Sequence, residues 1–253
     1  PHAGLLAQWG LPDDVSGLER FARTAVAALA PSVAVVKPQS AFFERFGSRG
    51  VAVLEETVAE ARAAGALVIM DAKRGDIGST SQAYADAYLD PASPLAADAL
   101  TVSPYLGFGS LDPFIETARR HGAGLFVLAL TSNPEGPQVQ HARTDQGATV
   151  AGTMLAGLRE LNDGAMPLGS FGAVVGATIG ETTEELDING PLLVPGYGAQ
   201  GGPVADLRRI FASCAGAILP SSSREILGRG PDVRALREAA LRASDELRAL
   251  QTD

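Results

Sequence analysis

The chain has 253 residues, 46% of them hydrophobic and 19% charged, with 29 acidic against 20 basic side chains and a formal net charge of −9. That balance can fill a folded core and argues against a general nucleic-acid or anionic-membrane partner, since both reward clustered Lys and Arg. Cys214 is alone, so an intrachain disulfide is excluded, and with His2, His121 and His141 as the only histidines a Cys/His zinc site is not expected.

In chain order, "PHAGLLAQWG" has neither the basic region nor the apolar stretch of a signal peptide, and no initiator Met. It reads as the start of a chain that begins partway through a longer natural sequence. Ser16 and Glu19 have the spacing of a capping box, and Leu18, Phe21, Ala25 and Leu29 then recur at helical period. "SVAVVKP" is the first strand, and "VAVLEETVAEARAAG" is a helix ending on Gly65. "ALVIMDAK" is the next strand, followed by a helix over 81–89. "ADALTVSPY" and "AGLFVLALT" are strands flanking a helix over 111–121. A polar loop, "TSNPEGPQVQHARTDQG", leads to a helix over 149–161. "FGAVVGAT", "PLLVPG" and "GAILP" complete seven strands, with helices over 204–212 and 232–250. No run nears the ~20 apolar residues that span a bilayer. The absence of a linker, repeat or low-complexity tract predicts a single domain over 1–253.

Near-continuous apolar strands alternating with helices predict parallel strands covered by helices and joined by right-handed crossovers. Seven strands are one short of a (β/α)8 TIM barrel, and the missing first strand is expected just before Pro1. A doubly wound open sheet is the alternative, but no GxGxxG follows the first strand. Polar groups instead cluster at the C-terminal ends of several strands, where a barrel builds its site.

Three such ends stand out. In "VIMDAKRGDIGST" the D-x-K spacing puts Asp71 and Lys73 on one face of a regular strand, with Asp76 just beyond, and Val33, Val35 and Lys37 share a face of the preceding strand. Two ammoniums and two carboxylates at one mouth form either a structural salt-bridge network or a catalytic array. The second reading is favoured, because confining several charges in a partly desolvated mouth is costly without a role. An ammonium beside carboxylates suits proton donation better than Schiff-base chemistry, which requires a neutral amine. "VPGYGAQGG" and "LPSSSREIL" follow the last two strands, where barrels commonly hold phosphate on glycine-rich backbone and a helix start, with Arg224 as a bidentate partner. In "TSNPEG", Ser132 and Asn133 are either ordinary turn residues or ligand-reading groups on a closing loop. Tyr105, Leu106 and Phe108 in "SPYLGFGSLDPF" read as packing or subunit contacts.

The ordered set "VVKP", "DAKRGDIGST", "TSNPEG", "PGYGAQGG" and "PSSSREIL" resembles the orotidine 5′-phosphate decarboxylase family, in its bacterial branch with a long loop after "TSNPEG". The resemblance spans nearly the whole chain. It implies cofactor-independent, metal-free loss of carbon dioxide from orotidine 5′-phosphate by a cytoplasmic homodimer. It further implies that Lys73 protonates C6 of the pyrimidine, that Asp71 lies against the substrate carboxylate, and that Lys37 bridges Asp71 and the ribose. Asp76 and Thr80 would complete the partner subunit's site. Ser132 would read the pyrimidine edge, Gln200 would span pyrimidine and phosphate, and Ser223 and Arg224 would lie at the phosphate. Two alternatives stay open: a metal-dependent keto-sugar-phosphate decarboxylase or synthase, which has Glu in place of Lys37, and a non-catalytic phosphosugar-binding barrel.

Overall fold

A computed structural model of the chain describes residues 1–198 and 204–251. Seven strands, β1 (Val35–Val36), β2 (Leu67–Arg74), β3 (Ala99–Val102), β4 (Gly124–Leu130), β5 (Phe171–Val175), β6 (Leu192–Pro195) and β7 (Ile218–Ser221), form one sheet in sequence order. All neighbouring pairs are parallel, as βα repeats with right-handed crossovers require. This is the α/β architecture expected of the barrel class. Among the described residues β1 and β7 pair only with β2 and β6, so the sheet has two open edges. The gap between them is a cavity of about 690 Å³ lined by residues that include Val35, Lys37, Leu219, Ser221 and Arg224.

Strand parity places the site. Val35, Ile69, Ala99, Phe126, Val174, Leu193 and Leu219 pack together inside the curl of the sheet. Residues two further along β1, β2, β3 and β7 are therefore Lys37, Asp71, Thr101 and Ser221, on the same inner face at the C-terminal end. The outward residues Val68, Met70, Leu100, Val127 and Val194 join the larger core beneath the helices. A separate cluster of Leu5, Leu6, Trp9, Phe21, Ala28 and Leu236 docks the N-terminal helix Ala3–Gln8 onto helices Val15–Leu29 and Val233–Gln251.

Three local features differ from the sequence reading. Helix Val15–Leu29 is capped by Asp14, whose carboxylate accepts from Gly17 N at 3.0 Å and from Ser16 Oγ at 2.7 Å. Ser16 thus hydrogen-bonds the capping side chain instead of being the cap, a carboxylate being at least as good an acceptor for the exposed N–H groups. β1 is only two residues long; Pro38 has no N–H to continue the ladder. Thirdly, β2 is irregular at its end: Met70 pairs with Leu100 and Arg74 with Val102, leaving Asp71, Ala72 and Lys73 opposite Thr101 alone. Elsewhere the expected ends hold. Gly65, at φ +92, follows the helix Gly47–Ala63, and Thr149 caps Val150–Leu161 by accepting from Gly152 N at 2.8 Å. No helix among the described residues is long and apolar enough to cross a membrane.

Candidate active site

The side chains of β1, β2 and β3 converge on Asp71. Its Oδ2 accepts from Lys37 Nζ at 2.8 Å, and its Oδ1 accepts from Lys73 Nζ at 2.5 Å and from Thr101 Oγ1 at 2.9 Å. Asp71 is buried, while 18% of the Lys37 side chain and 43% of that of Lys73 are exposed, so the carboxylate is the floor of the array and Lys73 its solvent-facing arm. Burial pushes the Asp71 carboxyl up, but the charge and hydrogen bond of Lys37, followed by those of Lys73, outweigh it and hold the group below its ordinary value. The backbone around it is tied to the loop after β1, with Asp71 N donating to Pro38 O at 3.0 Å and Ser40 N to Asp71 O at 3.2 Å.

Lys73 meets Asp71 by a route that regular alternation does not describe. Its φ is +48°, in the left-handed region, where a non-glycine residue costs of order 1–3 kcal/mol. Two neighbours hold it there. Lys73 N donates to Thr101 Oγ1 at 3.0 Å, and the next residue, Arg74, turns outward to pair with Glu44 and to donate to Tyr88 Oη at 3.1 Å. Gly75 follows, where a Cβ would lie 2.4 Å from the Ser103 carbonyl oxygen, so only glycine lets the chain turn into the loop.

Asp76 and Thr80 lie beyond that turn, and among the described residues neither side chain hydrogen-bonds Lys37, Asp71 or Lys73. Asp76 Oδ1 accepts from Ile77 N at 2.8 Å, and Asp76 has no ion pair among the described residues. Ile77, next to Asp76, and Tyr105 and Leu106, in the loop after β3, are exposed by 63%, 77% and 54%. Ser132 is exposed at the end of β4, on a loop braced by Gln140, which accepts from Thr131 N at 2.9 Å and donates to Thr131 Oγ1 at 2.7 Å. At the last strands, Gly198 has φ +86 and a Cβ there would meet Glu225 Oε2 at 2.2 Å, so the loop after β6 lies directly against the short helix Arg224–Leu227. Ser223 stands immediately before that helix, and both Ser223 and Arg224 are exposed. Gln200, Gly201 and Gly202 lie outside the described residues.

Sequence reasoning missed Thr101 and the irregularity of β2. Thr101 is the one polar residue of β3, which is a signal; a lysine at positive φ leaves none, because Lys has no preference for that region. Cys214 takes no part in this array: it is buried, and burial pushes its thiol up to about 11, which keeps it unreactive near neutral pH.

A parallel α/β sheet with a lysine–aspartate–lysine array at its strand ends, and a glycine-lined turn packed on a short helix at its last strands, is the architecture of a barrel-class α/β enzyme. The chain belongs to the orotidine 5′-phosphate decarboxylase / HUMPS family, whose model matches residues 14–239. A Nocardioides sp. protein named orotidine 5′-phosphate decarboxylase is 70% identical over 253 residues, covering 98% of this chain and 92% of its own length. A Streptomyces coelicolor protein of the same name is 65% identical, with 100% and 91% covered. A crystal structure from Streptomyces avermitilis superposes with a TM-score of 0.98 at 67% identity, covering 100% of this chain and 89% of that one.

Proposed function

We propose that this chain, acting as one domain, decarboxylates orotidine 5′-phosphate to uridine 5′-phosphate without a cofactor, with Lys73 supplying the proton. The observation that carries this reading is Asp71 bridging Lys37 and Lys73 at the sheet's C-terminal end, in a chain whose 65–70% identical relatives bear that enzyme's name. The bond from C6 to the carboxylate breaks, carbon dioxide leaves, and the electron pair left on C6 takes the proton from Lys73 Nζ. That carbanion is localised, so stabilisation near the upper end of the ~8–23 kcal/mol typical of enzymes is needed. An ammonium held at the developing charge provides it without reorganisation. Asp71 stays ionised, its pKa being held low, and so disfavours the substrate carboxylate relative to the transition state.

The remaining groups bind and orient. Lys37 reaches the ribose from Asp71, Ser132 reads the pyrimidine edge, and Ser223 with Arg224 receives the phosphate, a role Gln200 shares. Binding energy at the phosphate, far from the breaking bond, holds the closed complex. Asp76 and Thr80 serve the partner subunit of a homodimer in the cytoplasm; the exposed Ile77 next to Asp76, with the exposed Tyr105 and Leu106 after β3, supports an interface at this end of the sheet.

The metal-dependent keto-sugar-phosphate reading requires a carboxylate where Lys37 stands, and an ammonium bound to Asp71 is a poor metal ligand set. Loss of orotidine 5′-phosphate absorbance in the presence of EDTA tests the assignment. Undiminished turnover is expected; turnover that EDTA abolishes favours the metal enzyme, and tight uridine 5′-phosphate binding with no turnover favours the non-catalytic barrel.

A further inference from the structure

β3 is buried from Ala99 to Val102, and Thr101 at 0% exposure is its one polar side chain. A buried hydroxyl in an apolar strand needs partners, and both of those it has belong to the array: it accepts from Lys73 N at 3.0 Å and donates to Asp71 Oδ1 at 2.9 Å. The strand pairing shows why a hydroxyl is wanted there. Asp71, Ala72 and Lys73 face only Thr101 across the β2–β3 ladder, and extra residues at such an irregularity lose regular backbone partners. The Thr101 oxygen replaces the missing carbonyl for Lys73 N–H. Its single proton is then committed to Asp71.

We propose that Thr101 is a positioning residue for decarboxylation, locking the left-handed backbone of Lys73 to the Asp71 carboxylate through one hydroxyl. The inference rests on the role assigned to Lys73 above. One oxygen that accepts from the lysine's backbone and donates to the lysine's ion-pair partner fixes the two ends of the Lys73 side chain relative to each other. Without it, the N–H at 73 is left without its acceptor, the strained backbone is free to relax toward the extended region, and the ammonium is displaced from the reacting carbon. Thr101 acts only through Lys73 and Asp71, so ground-state binding of the nucleotide is unaffected.

Thr101→Val keeps the side-chain shape and removes both hydrogen bonds, Thr101→Ala removes them with less bulk, and Thr101→Ser keeps the hydroxyl. The Val and Ala variants are expected to lose about 100-fold in kcat, the scale of a small misplacement of a catalytic group. Their KM and uridine 5′-phosphate affinity are expected to stay within about threefold of wild type, because the lost interaction is not one made with bound nucleotide. Thr101→Ser restores most of kcat. Amide hydrogen exchange at Lys73, which needs no turnover, quickens in Val and Ala and not in Ser. Wild-type kcat in a folded Val or Ala variant, a KM change as large as the kcat change, or a Ser variant as impaired as Val would each overturn the proposal. Absence of turnover in the wild-type enzyme would instead refute the function, leaving the exchange rates to report on the Thr101 lock by itself.

Discussion

Asp71 is the acceptor on which both lysines and Thr101 converge, and its ionisation carries a consequence for stability. Burial acts to raise its pKa, and the charges and hydrogen bonds of Lys37 and Lys73 bring it below 3.8. A folded-state pKa depressed below the unfolded value stabilises the fold above the unfolded value, and that contribution is lost as pH falls through the lower, native one. Asp71→Asn should therefore be less stable than wild type at pH 7 by about 1–3 kcal/mol, the range for breaking hydrogen bonds to charged groups. The gap should narrow as pH drops below 3.8 and Asp71 becomes neutral in the wild type as well. Urea titrations at pH 7 and pH 3 measure it, and a gap equal at both would show that the depressed ionisation of Asp71 contributes nothing to the fold.

Among the elements, the helix Ala3–Gln8 has a role beyond filling core. Trp9, its C-cap, donates from Nε1 to Leu227 O at 2.8 Å, and Gln8 Nε2 donates to Gly228 O at 2.8 Å, so the N-terminal helix secures the far end of the short helix that begins at Arg224. The Trp9 ring also packs on Phe21, with centroids 4.3 Å apart. Trp9→Phe retains most of that packing and deletes the hydrogen bond, a loss of about 1 kcal/mol in stability; by loosening the Arg224 helix it should also raise KM for the nucleotide. Arg224→Ala should raise KM strongly for orotidine 5′-phosphate and barely change the much slower reaction of the unphosphorylated nucleoside. Equal effects on both substrates would make Arg224 a structural residue. Trp9 is the chain's single tryptophan, so its fluorescence reports directly on this contact; no change on adding uridine 5′-phosphate would argue that the short helix is insensitive to ligand.

At the scale of the molecule, all seven strands lie where the apolar runs put them, because strands buried on both faces leave an unambiguous stretch of Val, Leu and Ala. The Lys37–Asp71–Lys73 meeting was also legible, yet the D-x-K spacing assumed a regular strand, and contact is made instead through an irregular one with Lys73 at positive φ. Torsions of that kind depend on the neighbouring strand and leave no trace in local spacing, whereas Thr101 is visible as the one polar residue of β3. The Asp14 cap shows the same limit: two acceptors within three residues competed, and chain geometry chose between them. Sharing of sites between subunits is the remaining large-scale expectation. Lys73→Ala and Asp76→Ala homodimers should each be nearly inactive, while co-expression makes roughly half the dimers mixed and about a quarter of all sites wild type. Activity should reappear to that extent. No recovery from demonstrated mixed dimers would place Lys73 and Asp76 in one subunit's site.

The account turns on Lys73 as the proton donor, and the most direct measurement compares wild type with Lys73→Ala for turnover of orotidine 5′-phosphate and, in parallel, for binding of uridine 5′-phosphate. Turnover should fall by at least about 10⁴-fold, the upper range for removing a general acid, while binding of the product stays within about tenfold, since the lost interaction belongs to the transition state. A variant retaining turnover within tenfold of wild type would contradict the assignment of Lys73.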